Sequence, residues 1–214
     1  MRPRTPSAKD QSRQKPGVSR RASTHDRILT QGLDILSQVG FSGVTLGILA
    51  QRVGISKSGL FAHFKSIEQV QLAILQHMMD VWTANVLVPS MRADKGLPRL
   101  SSYFLHWLGW TSKPGLSGGC PLAAALFELD DKQGPLRITV AIKQKQWQDV
   151  LVELIEEAIH SGHLSRDVNV PQLTCEIWGI YLTHHLSARF LRDNQANEQA
   201  QSAFEKLIAD ARSK

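Results

Sequence analysis

Residues 45–67 read TLGILAQRVGISKSGLFAHFKSI, and the second half of this stretch is sparse for an ordinary helix. Gly54 opens that half, Gly59 interrupts it, and Lys57 is its one charge before Lys65. Two short helices that cross through a tight turn need a small residue at the crossing, a residue tolerant of positive φ at the turn, and apolar residues to pin them. Ala50 precedes Gly54 by four positions and Leu60 follows it by six, with Ile48, Leu49, Val53 and Ile55 assigned to the interior. The spacing predicts a helix-turn-helix. Thr45 caps a helix running to Arg52, and Ser56 caps another running to about Phe64.

The sparseness then has a use. A recognition helix enters the major groove with its N-terminal residues, which must be slim and polar, while its far side carries the apolar anchors. Ser56, Lys57, Ser58 and Gly59 form the slim edge, and Leu60 and Phe64 the anchors. Backbone amides near Thr45 and Ser56 are free to receive phosphate oxygens. Lys57 reaches a guanine or a phosphate, and Lys65 a phosphate.

From about Thr24 to Gln71, roughly a quarter of the chain, the sequence resembles the DNA-binding domain of the TetR family of transcriptional regulators. The residues that carry the resemblance are those of the quoted stretch, set against a family pattern T-x-x-x-I-A-x-x-A-G-V-S-x-x-x-[LF]-Y-x-[HY]-F-x-[SN]-K. The resemblance implies an all-α fold, three N-terminal helices that bind double-stranded DNA, and a larger helical domain that dimerises and binds a small effector. It also implies that Thr45, Lys57, Ser58, Gly59, His63 and Lys65 face DNA. Phe61 stands where the family usually has tyrosine, and so brings no hydroxyl to a phosphate; Ile67 stands where it usually has lysine.

Charge supports the same end of the molecule. Residues 1–27 hold eight Lys or Arg against Asp10 and Asp26, a net of +6; residues 28–65 add +2, and the remainder carries −2. A positive field concentrated at one end favours a polyanionic partner there. Residues 1–22 are rich in Arg, Lys, Ser, Pro and Gln, too poor in apolar groups to offset ordering, and are expected to form a disordered basic arm. Order is expected from Ser23 or Thr24, giving a DNA-binding domain over 23–66 and an effector and dimerisation domain over 67–214.

At 214 residues with 42% hydrophobic composition the chain can bury a sizeable core. No apolar run reaches the roughly 18–20 residues of a membrane span, and no apolar stretch follows the basic N-terminus as in a signal peptide, so no membrane partner and a cytoplasmic location are expected. Beyond Ile67 the pattern stays helical, with segments over Pro98–Trp110, Pro121–Leu129, Pro135–His160, Val170–Arg192 and Ala196–Arg212.

Trp107, Trp110, Phe127, Trp147, Trp178, Tyr181 and Phe190 lie among apolar residues of these segments, with His106, His184 and His185 as polar handles; together they are candidates for an apolar effector pocket. Cys120, in GLSGGCPLAAALFEL, stands before Pro121 at a helix start, where the dipole favours a thiolate and thus an oxidant or electrophile sensor. Cys175 reads as core. His160 and His163 lack a third ligand nearby and read as helix-terminal histidines, so neither metal nor cofactor is expected. Leu173, Ile177, Ile180 and Ala188, with Ala203, Phe204 and Leu207, form two stripes that a symmetry mate would bury as a four-helix bundle.

Two other classes compete. A thiol-dependent enzyme using Cys120 needs a base and an orienting group in contact, and no such spacing, phosphate loop or HExxH motif is present, so no catalytic residue is assigned. A sequence-nonspecific nucleic-acid protein needs only the arm, and predicts a steep salt dependence without operator preference.

Overall fold

The computed structural model describes residues 23–112 and 115–212; the expected basic arm lies outside the described residues. Those residues form helices and connecting turns with no strand among them, as the all-α expectation requires.

Helix α1 (Thr24–Gly43) starts at Ser23, whose hydroxyl accepts from the Asp26 amide at 3.0 Å while the Asp26 carboxylate accepts from the Ser23 amide at 3.2 Å. This reciprocal capping satisfies two orphan donors and holds the Asp26 carboxyl below its ordinary value, chiefly through the Ser23 hydroxyl. Ile28, Leu33, Ile35 and Leu36 form the buried face of α1. At Gly40 the helix breaks, with φ of 70°, and Phe41–Gly43 makes a final turn in a new direction.

The two short helices α2 (Leu46–Val53) and α3 (Lys57–Phe61) follow, then α4 (Ile67–Trp82). Helix α4 runs without interruption into a wide π-turn, Thr83–Leu87, and the short α5 (Val88–Ser90). The wide turn falls just before Pro89, whose ring and missing amide disturb the hydrogen-bond ladder over the preceding turn. Helix α6 (Leu97–Gly109) ends in a single 3₁₀ turn, Trp110–Ser112. Short α7 (Pro121–Glu128) leads to α8 (Pro135–His160), 26 residues and so about 39 Å long. Helix α9 (Val170–His185) widens into a second π-turn, Leu186–Phe190, and stops at Arg192, which has φ of 58°; α10 (Ala196–Ala211) closes the chain. The segment expected as one regular helix to Arg192 is therefore regular only to His185.

The core is continuous. It runs from Leu49 and Leu60 beneath the helix-turn-helix, through Ile74 and Met78 of α4, to Trp107, Trp147 and Tyr181. Helix α1 packs on both α4 and α7, and so joins the helix-turn-helix to the rest of the molecule.

Candidate nucleic-acid interface and the core behind it

Thr45 caps α2, its hydroxyl accepting from the Ile48 amide at 3.2 Å. The helix ends where Gly54 turns left-handed, at φ 74° and ψ 38°, and the Gly54 and Ile55 amides return to the Ala50 carbonyl at 2.9 and 3.0 Å. Only glycine takes that conformation at little cost, which is why the turn residue is legible in sequence. Arg27 of α1 donates to the Val53 carbonyl at 2.6 Å and ties the end of α2 down.

Ser56 caps α3, accepting from the Gly59 amide at 3.0 Å while its hydroxyl pairs with that of Ser58 at 2.9 Å. Helix α3 is shorter than expected. It ends at Phe61 because Ser66 must leave the helix to cap α4, which it does by accepting from the Gln69 amide at 3.2 Å. Leu60 and Phe64 are buried, and Phe64 stacks on His25 with centroids 5.3 Å apart.

The opposite edge is open. Thr45, Ser56, Lys57, Ser58, Phe61, His63 and Lys65 are exposed, and Gly59 is partly so. The Lys57 stem passes over Gly47, where a Cβ would lie 3.7 Å from Lys57 Cε, so the lysine rests across the start of α2. Ile48, assigned to the interior from sequence, is instead 45% exposed, since on so short a helix the buried stripe is carried by Leu49, Ala50 and Val53 alone.

Behind this surface, two contacts join α1 to the segment before α7 and to the end of α7 itself. The Asp34 carboxylate accepts from the Ser117 hydroxyl at 2.5 Å and its amide at 3.3 Å, and pairs with Arg52 of α2 at 3.1 Å. Burial raises the Asp34 pKa, but the hydrogen bonds from Ser117 and Arg52 outweigh it and hold the carboxyl below its ordinary value. Beside it the Gly118 amide donates to the Ser37 hydroxyl at 2.9 Å, and a Cβ on Gly118 would overlap the Ser37 backbone. The second contact is Glu128, at the end of α7, which accepts from the Phe41 and Ser42 amides at 2.8 and 2.6 Å. Apart from Asp34 and Arg52, these partners lie 81 or more residues apart, and no local pattern announces them.

The residues expected to line an effector pocket sort into two groups. Trp107, Trp147, Trp110, Trp178 and Tyr181 are buried together: Trp107 stacks on Tyr181 at 4.1 Å and on Trp178 at 4.7 Å, and Trp110 Nε1 donates to the Tyr181 hydroxyl at 2.9 Å. His106 turns its Nδ1 toward the Ser102 carbonyl of its own helix at 2.7 Å, and His184 pairs with Asn197 at 2.7 Å. Phe127 does not join them. It is 69% exposed, on the outer side of α7, because Leu122, Ala123 and Ala125 supply the buried face, and Phe190 is likewise outside, 78% exposed at the end of the second π-turn.

Trp82 and Tyr103 complete the aromatic cluster and were not among the pocket candidates, although Trp82 falls on the apolar stripe of α4. The indole N–H groups of Trp82, Trp107 and Trp147, the Tyr103 hydroxyl and the Gln144 Oε1 are buried without a hydrogen-bond partner. Such orphaned groups cost about 1–3 kcal/mol each in mutational experiments.

Cys120 is fully buried at the N-cap of α7, its sulfur accepting from the Ala123 amide at 3.4 Å. Burial pushes its thiol up, past the opposing hydrogen bonds from Tyr181 and Ala123, which reverses the expectation of a thiolate at this helix start. Cys175, expected in the core, is exposed, since Leu173, Thr174 and Ile177 form the inner face of α9. His163 accepts from the Leu97 amide at 3.2 Å and so serves the start of α6.

Of the stripes assigned to dimerisation, Leu173, Ile177 and Phe204 are spent within the protomer, Phe204 stacking on Phe104 at 4.1 Å. Ile180, Ala188 and Leu207 are partly exposed and Ala203 is exposed. Ile180 and Ala203 flank an open groove of about 440 Å³ between α9 and α10.

Comparison with known proteins agrees with this architecture. Residues 28–74 match the family described as bacterial regulatory proteins, tetR family, and residues 96–204 match the tetracyclin repressor-like C-terminal domain. The HTH-type transcriptional regulator RutR of Escherichia coli K12 is 40% identical over 57 residues, which span only 27% of this chain and 27% of RutR. A TetR transcriptional regulator from Chloroflexus aurantiacus superposes with a TM-score of 0.80 at 22% identity, over 88% of this chain and 95% of that one. AibR, solved in complex with isovaleryl coenzyme A and operator DNA, superposes with a TM-score of 0.67 at 21% identity, over 88% and 98% of the two chains. With both the helix-turn-helix and the C-terminal helical domain matched in order along one sequence, the chain belongs to the TetR family of bacterial transcriptional regulators.

Proposed function

We propose that the protein is a homodimeric repressor that binds a palindromic operator through α3 and is released by a small molecule taken up among the C-terminal helices. The observation that carries the DNA reading is the division of α3 and its flanks: Leu60 and Phe64 are buried, while Ser56, Lys57 and Ser58 are exposed at the capped end. A helix so disposed is held by the protein on one side and offers its slim side to base edges. Lys57 is assigned to a base or phosphate, and Thr45, Phe61, His63 and Lys65 to the flanking backbone. Phe61, 48% exposed, contributes contact but no hydrogen bond.

The four-helix dimer is proposed on α9 and α10 through Ile180, Ala188, Ala203 and Leu207, the members of the expected stripes that the protomer leaves at its surface. Two-fold pairing places two recognition helices on half-sites about 34–36 Å apart. Release by a small molecule is supported by the aromatic cluster and by the structural likeness to AibR, solved with both a ligand and its operator. No catalytic role is assigned, and a cytoplasmic location follows from the proposed DNA target; no helix among the described residues is long and apolar enough to cross a membrane.

Selection of bound sites from a random DNA pool tests the proposal. An inverted repeat with centres one helical turn apart is expected, bound by wild type and lost in Lys57→Ala while the dimer and helical content persist. Undiminished operator binding by Lys57→Ala in a gel-shift titration would overturn the assignment of α3.

A further inference from the structure

We propose that the aromatic cluster is a closed ligand site for a small, uncharged, planar molecule bearing hydrogen-bond acceptors, of the carbonyl class. The inference rests on the effector reading above and specifies its chemistry. Trp82, Tyr103, Trp107 and Trp147 form a closed circuit of ring contacts, with centroids 6.0, 5.7, 6.3 and 4.5 Å apart around the ring of four. Each of the four carries a buried polar atom without a partner. Their neighbours Trp110 and Tyr181 show the ordinary arrangement, bonding each other at 2.9 Å. Buried polar groups in native proteins are almost always satisfied. Four unsatisfied neighbours in one circuit of ring contacts therefore mark a place where a partner belongs.

The identity of those atoms sets the chemistry of the partner. Indole N–H groups only donate, and a tyrosine hydroxyl donates or accepts, so the cluster presents three obligatory donors and a fourth available one. A matching molecule supplies acceptors. Of the four, Trp82 and Trp147 are stacked in contact at 4.5 Å, so a flat molecule enters as these two indoles part by about the thickness of a ring. The buried polar residues among those described are Ser37, Ser90, Thr174 and His184, with no buried carboxylate, lysine or arginine. A charged molecule would find no counter-charge there, and its desolvation would be uncompensated.

Gln144, whose unpartnered Oε1 lies one turn before Trp147 on α8, also lines a cleft of about 370 Å³ between α7 and α8, whose walls include Leu129 and Val140 together with Arg137 and Lys145. That volume is within the range of small-molecule sites. The amide oxygen is the member of the set that only accepts, and it suits a ligand with a single donor on its edge.

Calorimetric titration of the full chain tests the assignment, with coumarin and chromone as neutral carbonyl probes, naphthalene as a ring without acceptors and 2-naphthoate as a charged one. At least one carbonyl probe is expected to bind about tenfold or more tightly than naphthalene and 2-naphthoate. Tyr103→Phe, which removes only an orphaned hydroxyl, is expected to raise the melting temperature of the ligand-free protein by about 2 °C. The same substitution should weaken the carbonyl probe about fivefold, and leave naphthalene and ligand-free operator binding unchanged. A lowered melting temperature in Tyr103→Phe, equal affinity for all probes, or no binding by either carbonyl compound would overturn the proposal. Carbonyl binding without any selected operator would instead overturn the repressor reading and leave the site standing.

Discussion

Arg52 and Asp34 sit 3.1 Å apart, and the same carboxylate that holds this arginine of α2 also holds Ser117, which lies just before α7. One side chain on α1 thus touches the helix-turn-helix on one side and the C-terminal helices on the other. Asp34→Ala removes both contacts. It should lower unfolding free energy by about 1–2 kcal/mol, given charge-assisted bonds that are partly exposed to solvent, as measured by urea denaturation. It should also weaken the response of operator affinity to effector, since the two ends then share fewer contacts.

Acid titration of the same pair has a defined sign. The folded carboxyl lies below the ordinary value of 3.8, so its contribution is complete above that value and is lost as pH falls through the native one. The stability gap between wild type and Asp34→Ala should be flat near neutral pH and should shrink below 3.8. A gap that widened on acidification would contradict the assigned hydrogen bonds.

Gly118→Ala places a methyl group into the Ser37 backbone, which cannot give way without moving α1. A cost of about 1–3 kcal/mol is expected, read as a fall in melting temperature of roughly 2–4 °C per kcal/mol. Ser37→Ala, which deletes only the acceptor for the Gly118 amide, should cost less.

Ser56→Ala deletes the cap of α3 and the bond to the Gly59 amide. Global stability should fall by about 1 kcal/mol. Operator affinity should fall further than stability alone implies, because the five-residue α3 has few bonds to spare. Paired denaturation and gel-shift titrations separate the two effects.

Thiol accessibility divides the two cysteines. Iodoacetamide on the native protein should label Cys175 and spare Cys120, and both should react in denaturant, as read by mass of the intact chain and its peptides. Rapid native labelling of Cys120 would show that its burial is transient and would revive a sensing role.

The helix-turn-helix was legible because its constraints are local: Gly54 must be left-handed, Leu60 must anchor, and Thr45 and Ser56 must cap, all within twenty residues. Helix starts marked by proline at 121, 135 and 171 were equally plain. Composition could not tell which faces of α7, α9 and α10 turn inward, so Phe127, Cys175 and Leu173 were placed on the wrong side. Asp34, Glu128 and Ser117 carry no local signature, since their partners arrive from distant parts of the chain. The orphaned state of Tyr103 and three tryptophans is a property of packing alone.

The unbroken core described above has a thermodynamic corollary. With Ile74 and Met78 linking Leu60 to Trp147 through one apolar mass, neither end has a boundary along which to melt alone. Heating should produce a single calorimetric transition, and a molecule held among the aromatic rings should raise the temperature at which the DNA-reading helices come apart.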